Sequence, residues 1–231
     1  MKYLRPTSII LSFLAFAIFF AACDASTAQK QFGGNSKNPL KTPQIVSNKP
    51  KIVAFGDSLT AGFGLTEKES YPYLLQEKLK ADGLDYEVVN AGVSGDTSIG
   101  GLERVEWVLE QGNVQILILE LGANDLLRRM PVDKMKQNLG KIIEKAQKKN
   151  VKVLLCGMLA PPSIGVEYQR EYTAVFPDLA TKYKVSFLPF LLENVALNKD
   201  LNQADGIHPN ANGAKIMTAN IYKALQPLLK K

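Results

Sequence analysis

Lys51-Ile52-Val53-Ala54-Phe55-Gly56-Asp57-Ser58-Leu59 is the stretch whose reading decides the fold. Its first half is apolar and β-branched, as a strand covered on both faces must be. Its second half turns sharply at Gly56 into polar sequence that leads towards a longer amphipathic run. Working outward, the same alternation repeats. Residues 86–90, 114–121, 151–158 and 185–189 read as four more strands. Residues 71–82, 98–111, 132–150, 167–183 and 210–229 read as helices. The alternation predicts an α/β fold, a three-layer sandwich with a mostly parallel five-stranded sheet between helices. No internal repeat and no second domain are evident.

The sequence ahead of this domain is of a different kind. Lys2 and Arg5 form a basic start, residues 9–20 an apolar run, and Ala21-Ala22 lead to Cys23. That is the pattern of an export signal, and its apolar run is too short for a comfortable membrane span. Cys23 after two small residues resembles a bacterial lipobox, in which the cysteine is lipidated and becomes the mature N-terminus. Cleavage near Ala22 by ordinary signal peptidase is the alternative. The expected organisation is a signal peptide of lipoprotein type at 1–22, a disordered tether at 23–50 and the catalytic domain at 51–231. The tether is rich in Ser, Asn, Gln, Gly, Pro and Lys, and such a segment reaches roughly 25–30 Å. The protein is thus expected to be exported and held in the cell envelope by Cys23, facing periplasm or exterior. A soluble periplasmic or secreted form is the alternative, and a monomer is expected.

The formal net charge of +6 suggests an acidic partner, but its distribution does not. Of 28 basic and 22 acidic residues, seven basic and one acidic lie in 1–51, so the rest carries 21 of each. A nucleic-acid binder would place its excess charge on the folded domain. Nucleic acid is therefore not an expected partner. The excess sits where it could meet anionic lipid headgroups. With one histidine and two isolated cysteines, Cys23 and Cys156, neither a metal site nor a disulfide framework is expected. Cys156, inside an apolar run, reads as a small buried hydrophobe. No Gly-x-x-x-x-Gly-Lys loop or Gly-x-Gly-x-x-Gly fingerprint follows the first strand, and no cofactor is expected.

In an open α/β sheet, ligands bind at the carboxyl ends of the strands. Ser58 follows the first strand, Gly92 the second and Asn124 the third. Asp205 and His208, the only histidine, precede the last helix. A serine hydroxyl needs a base before it is a useful nucleophile, and neutral imidazole is the usual one. If Ser58 is the nucleophile, His208 is its base. Asp205 can orient the other ring nitrogen, and Pro209 suits the first helical turn that follows. The candidate donors to a tetrahedral oxyanion are the N–H groups of Ser58 and Gly92 and the amide of Asn124. Each residue also has a plainer reading: Ser58 as a helix cap, Gly92 and Asn124 as turn residues, Asp205 as a loop cap. Asp57 and Asp125 are expected to hold loop N–H groups.

Gly56-Asp57-Ser58-Leu59, Gly92, Gly122-Ala123-Asn124-Asp125 and Asp205-Gly206-Ile207-His208 match, in order, the four blocks of the SGNH (GDSL) hydrolases, over residues 51–229. The chain most resembles the bacterial branch with thioesterase I/lysophospholipase L1 and the arylesterases. The resemblance implies a flavodoxin-like sheet, catalytic Ser58, His208 and Asp205, and a Ser58/Gly92/Asn124 oxyanion hole. The function expected is a serine esterase cleaving carboxylic esters, acyl thioesters and lysophospholipids through an acyl-Ser58 intermediate. The alternatives are a deacetylase of sugar or peptidoglycan esters and a non-catalytic envelope-binding lipoprotein.

Overall fold

The computed structural model describes residues 48–230. The expected signal peptide, Cys23 and nearly all of the tether lie outside them. Five strands form one sheet: β1 (Lys51–Gly56), β2 (Glu87–Gly92), β3 (Val114–Glu120), β4 (Lys152–Cys156) and β5 (Ser186–Leu188). Their order is β2-β1-β3-β4-β5 and every pairing is parallel. The sheet is thus wholly rather than mostly parallel, in the flavodoxin-like order. The strand order reverses at β1 and β3, and in sheets of this kind ligands bind at the carboxyl ends beside such a reversal.

The helices are α1 (Ser58–Ala61), α2 (Tyr71–Ala81), α3 (Ser98–Leu109), α4 (Ala123–Leu127), α5 (Val132–Lys148), α6 (Val166–Tyr183) and α7 (Ala211–Leu225). α3 packs on α5 and α5 on α6, while α2 packs on α7. Right-handed crossovers around a sheet that winds both ways place these two sets on opposite faces. The core lies between them. Ile52, Val53, Ala54 and Phe55 of β1 and Leu117, Ile118 and Leu119 of β3 are wholly buried, which is why both strands read as continuous apolar runs.

The structure refines the expected elements at their edges. β2 is an edge strand and only half buried. Gln76 on α2 covers its open side, donating to the Tyr86 carbonyl (3.0 Å) and accepting from the Val88 N–H (2.8 Å). Such covering blunts an edge that could otherwise pair with another chain. The last helix stops at Leu225, and Gln226–Leu228 form a single 3-10 turn. Pro227 lies there, without the N–H that a continuing helix needs. Pro209 is not in the first turn of α7. It precedes the cap residue Asn210, whose side chain takes the N–H groups of Asn212 and Gly213. Cys156 is buried, as expected.

Candidate active site

Ser58 opens α1, directly after the strand that pins its backbone. The preceding Asp57 caps the helix, its Oδ1 accepting the Leu59 N–H at 3.0 Å. The expected cap role therefore belongs to Asp57, and the Ser58 hydroxyl is free for another partner. That partner is His208: Ser58 Oγ lies 2.9 Å from Nε2. Nδ1 of the same ring lies 2.7 Å from Asp205 Oδ2. Asp205 Oδ1 accepts the N–H groups of Ile207 and His208, each at 3.0 Å.

The bond to His208 comes first among the causes that lower Asp205, to about 2; the two backbone N–H groups add to it. Asp205 is therefore ionised wherever an esterase would work, and an ionised carboxylate can only accept. Nδ1 must carry the proton, which leaves Nε2 of the neutral ring as acceptor for the Ser58 hydroxyl. The loop that holds this pair is tied down at both ends. Gln203 N–H donates to the His208 carbonyl (2.7 Å), and Gln203 Nε2 donates to the carbonyls of Phe63 (2.7 Å) and Pro209 (3.0 Å). The Phe63 ring stands 4.7 Å from the imidazole, tilted by 37°.

The three expected donor groups meet at the same edge. Gly92 is the last residue of β2, where a Cβ would come within 2.2 Å of the Ala61 nitrogen and 2.7 Å of the Thr60 carbonyl carbon. Glycine is needed there because the backbone of α1 passes against it. Its N–H donates to Asn90 Oδ1 at 3.0 Å, so in this state the donor already has an exposed acceptor. Asn124, on α4, donates through Nδ2 to Asp57 Oδ2 at 3.0 Å. Asp125 accepts from the N–H (2.8 Å) and hydroxyl (2.6 Å) of Ser98 at the start of α3. Asp57 and Asp125 thus hold loop and helix-terminal groups, as anticipated.

One residue beneath the site was not anticipated. Glu120, at the end of β3, is fully buried. Its Oε2 accepts the Asp57 N–H (3.2 Å) and the Thr60 hydroxyl (2.7 Å), while Oε1 has no partner. Burial, then the neighbouring Asp57 charge, pushes Glu120 well above the ordinary carboxylate range. Burial also raises Asp57 to about 6, against the lowering effect of Leu59 and Asn124. The two carboxyls share one low-dielectric space, where a single negative charge is tolerated far better than two. Asp57 has the N–H donors that favour the anion, so Glu120 is the member that keeps its proton. A lone charge in the apolar run 114–121 was the available signal, since unpaired Glu is almost never fully buried.

Among the described residues no three His, Cys, Asp or Glu side chains gather as a metal site would require. No described helix is long and apolar enough to cross a membrane.

A flavodoxin-like sheet with a serine, an imidazole and a carboxylate in hydrogen-bonded sequence at its carboxyl edge defines a serine hydrolase of the α/β class. Residues 54–216 match the model of the GDSL-like lipase/acylhydrolase family, and the chain belongs to that family. It is 39% identical over 178 residues to esterase TesA of Pseudomonas aeruginosa, covering 77% of this chain and 89% of that protein. It is 35% identical to thioesterase 1/protease 1/lysophospholipase L1 of Escherichia coli K12, covering 77% and 84%. The crystal structure of TesA superposes with a TM-score of 0.75 at 38% identity, over 78% of this chain and 99% of that one. The protein is an SGNH-type serine esterase, an enzyme that hydrolyses ester bonds.

Proposed function

We propose that Ser58 is the nucleophile, His208 the general base and Asp205 its orienting anion. The observation that carries this reading is the continuous Ser58–His208–Asp205 hydrogen-bond path at 2.9 and 2.7 Å. His208 Nε2 takes the Ser58 proton as Oγ attacks the acyl carbonyl. The resulting oxyanion is met by the N–H groups of Ser58 and Gly92 and by the Asn124 amide. Collapse expels the alcohol or thiol, which receives the proton from His208, and leaves acyl-Ser58. Water activated by the same imidazole then releases the acid. Gly92 must give up its bond to Asn90 Oδ1, or share it, when the oxyanion forms.

For substrate we propose acyl esters with apolar acyl groups, including lysophospholipids and acyl thioesters. Phe63, Val93, Leu127 and Ile207 are all exposed large apolar residues, and each sits on a segment that also carries a site residue. The names of the relatives, an esterase and a thioesterase/lysophospholipase, support the same range. We infer that the enzyme is exported as a monomer and anchored through lipidated Cys23.

Labelling with a fluorophosphonate, followed by peptide mass spectrometry, tests the chemistry. The adduct is expected on Ser58, and Ser58→Ala is expected to lose labelling and all but residual hydrolysis. An adduct elsewhere would overturn the assignment. Rates on p-nitrophenyl esters of rising chain length, acyl-CoA, lysophospholipid and acetylated sugars test the substrate range. A preference for acetylated sugars would replace it with a deacetylase.

A further inference from the structure

Arg104, in the middle of α3, sends its guanidinium across the carboxyl ends of β1 and β2. Nη1 donates to the Ala91 carbonyl (2.8 Å), Nη2 to the Gly56 carbonyl (3.0 Å) and Nε to Asp96 Oδ2 (2.8 Å). Its guanidinium carbon lies 4.0 Å from the centre of the Phe55 ring. The planar group is thus held on one face by an aromatic ring and along its edges by three acceptors. Asp96 is itself fixed, with Oδ1 accepting the Thr97 N–H and lying where a Cβ on Gly100 would come within 2.0 Å.

The two carbonyls are not arbitrary. The Ala91 carbonyl belongs to the amide whose N–H is that of Gly92. The Gly56 carbonyl belongs to the amide of Asp57, one peptide ahead of Ser58. β2 is an edge strand held by β1 alone, and the ladder between them ends where the Val93 N–H meets the Gly56 carbonyl at 3.0 Å. Gly92 stands on the last rung of that ladder, paired with Gly56, and Arg104 adds a tie from α3 across the same rung. We propose that Arg104 is the positioning residue of the oxyanion hole, clamping the Gly92 donor peptide to the Gly56–Asp57 peptide that leads into the Ser58 donor and so setting their working separation. This rests on the oxyanion assignment made above.

Two physical effects act together. A rigid fork bridging two carbonyls of different strands sets their spacing, which a flexible ammonium cannot do. A cation on a carbonyl oxygen also polarises the whole amide, so that the Gly92 N–H becomes a stronger donor. Both effects matter most when charge develops on the substrate oxygen, so removing the clamp should slow chemistry rather than weaken binding.

The test compares Arg104→Ala, Arg104→Lys and Arg104→Gln with wild type, each normalised to active sites titrated by fluorophosphonate. Arg104→Ala is expected to lower kcat about 10- to 100-fold, in line with the cost of misplacing a reacting group by a fraction of an ångström, and to change KM less than about twofold. Millimolar guanidinium is expected to restore part of the kcat of Arg104→Ala and to leave wild type unaffected. Arg104→Lys is expected to stay close to the alanine variant. Should Arg104→Ala fold too poorly to titrate, Arg104→Gln carries the same expectation. Unchanged kcat per titrated site, a loss confined to KM, or full activity in Arg104→Lys would each overturn the proposal. These outcomes are separate from failure of the underlying chemistry, which would appear as wild-type enzyme that carries no adduct on Ser58.

Discussion

Asn124 reaches the catalytic edge with one amide hydrogen committed to Asp57 Oδ2 and a second free to donate. Asp57 therefore aims the amide without competing for the oxygen it would stabilise. Asn124→Ala should lower kcat about 10²- to 10³-fold with little change in KM, because an oxyanion donor acts mainly in the transition state. A variant that loses thermal stability but keeps its specific activity when folded would return Asn124 to a turn role. Asp57 adds a pH dependence that the single histidine alone does not foretell. Raised to about 6 by burial, it takes up a proton as pH falls through that value and then no longer offers a full anion to Asn124 and Leu59. The imidazole must also be neutral to act as base. Log kcat/KM should therefore fall more steeply as pH drops through about 6 in wild type than in Asp57→Asn, which is lower in activity and lacks that ionisation. Asp205, lowered to about 2, contributes nothing to this limb. An acid limb that Asp57→Asn leaves unaltered would remove Asp57 from the working site.

At the level of elements, β1, β2 and β3 each bring one expected site residue to their carboxyl ends, and two very short helices carry Ser58 and Asn124 there. α1 and α4 are four and five residues long, too short to be stable alone, and they exist because capping and tertiary contacts hold them. Neither was among the expected helix ranges, although Ser58 was expected where a strand turns into a helix and Asn124 at a turn. The packing of α1 against β2 is the tightest of these arrangements. Gly92→Ala would drive a methyl into the backbone at Ala61 and Thr60. Backbone cannot rotate away as a side chain can, so the cost should be about 2 kcal/mol or more. Thermal melts should show a lower Tm, and turnover should fall with it because the Gly92 donor shifts. A variant as stable and active as wild type would mean that the β2 end has slack, which would also weaken the case for a clamp at Arg104.

For the whole molecule, the charge distribution separates two jobs. The folded domain is balanced, and the excess of basic residues lies ahead of it, towards the proposed anchor. A single acyl chain binds a membrane only marginally, whereas an N-terminus carrying several holds firmly. Cys23→Ser should therefore leave an uncleaved precursor or release soluble protein, and wild type should incorporate labelled palmitate in a globomycin-sensitive manner. Normal processing without label would make the enzyme a soluble exported esterase with the Ser58 chemistry intact.

What the sequence determined by itself was the local and the periodic: the five strands and five long helices, the parallel sheet, and the segments that bear Ser58, Gly92, Asn124, Asp205 and His208. Apolar period, turn chemistry and the solitary histidine are properties of neighbouring residues, so they are legible without a fold. Tertiary structure alone decided which groups share space across long separations. Ser58 and His208 are 150 positions apart and meet at 2.9 Å. Glu120 lies 63 positions from Asp57, and Arg104 reaches Gly56 from 48 positions away. Neither Glu120 nor Arg104 stood out as a functional residue, because a buried carboxyl or a bridging guanidinium takes its meaning from what surrounds it. Desolvation, the sharing of one proton between two carboxyls and the joining of two strand ends are set by distance in space, and the chain's order does not record that distance.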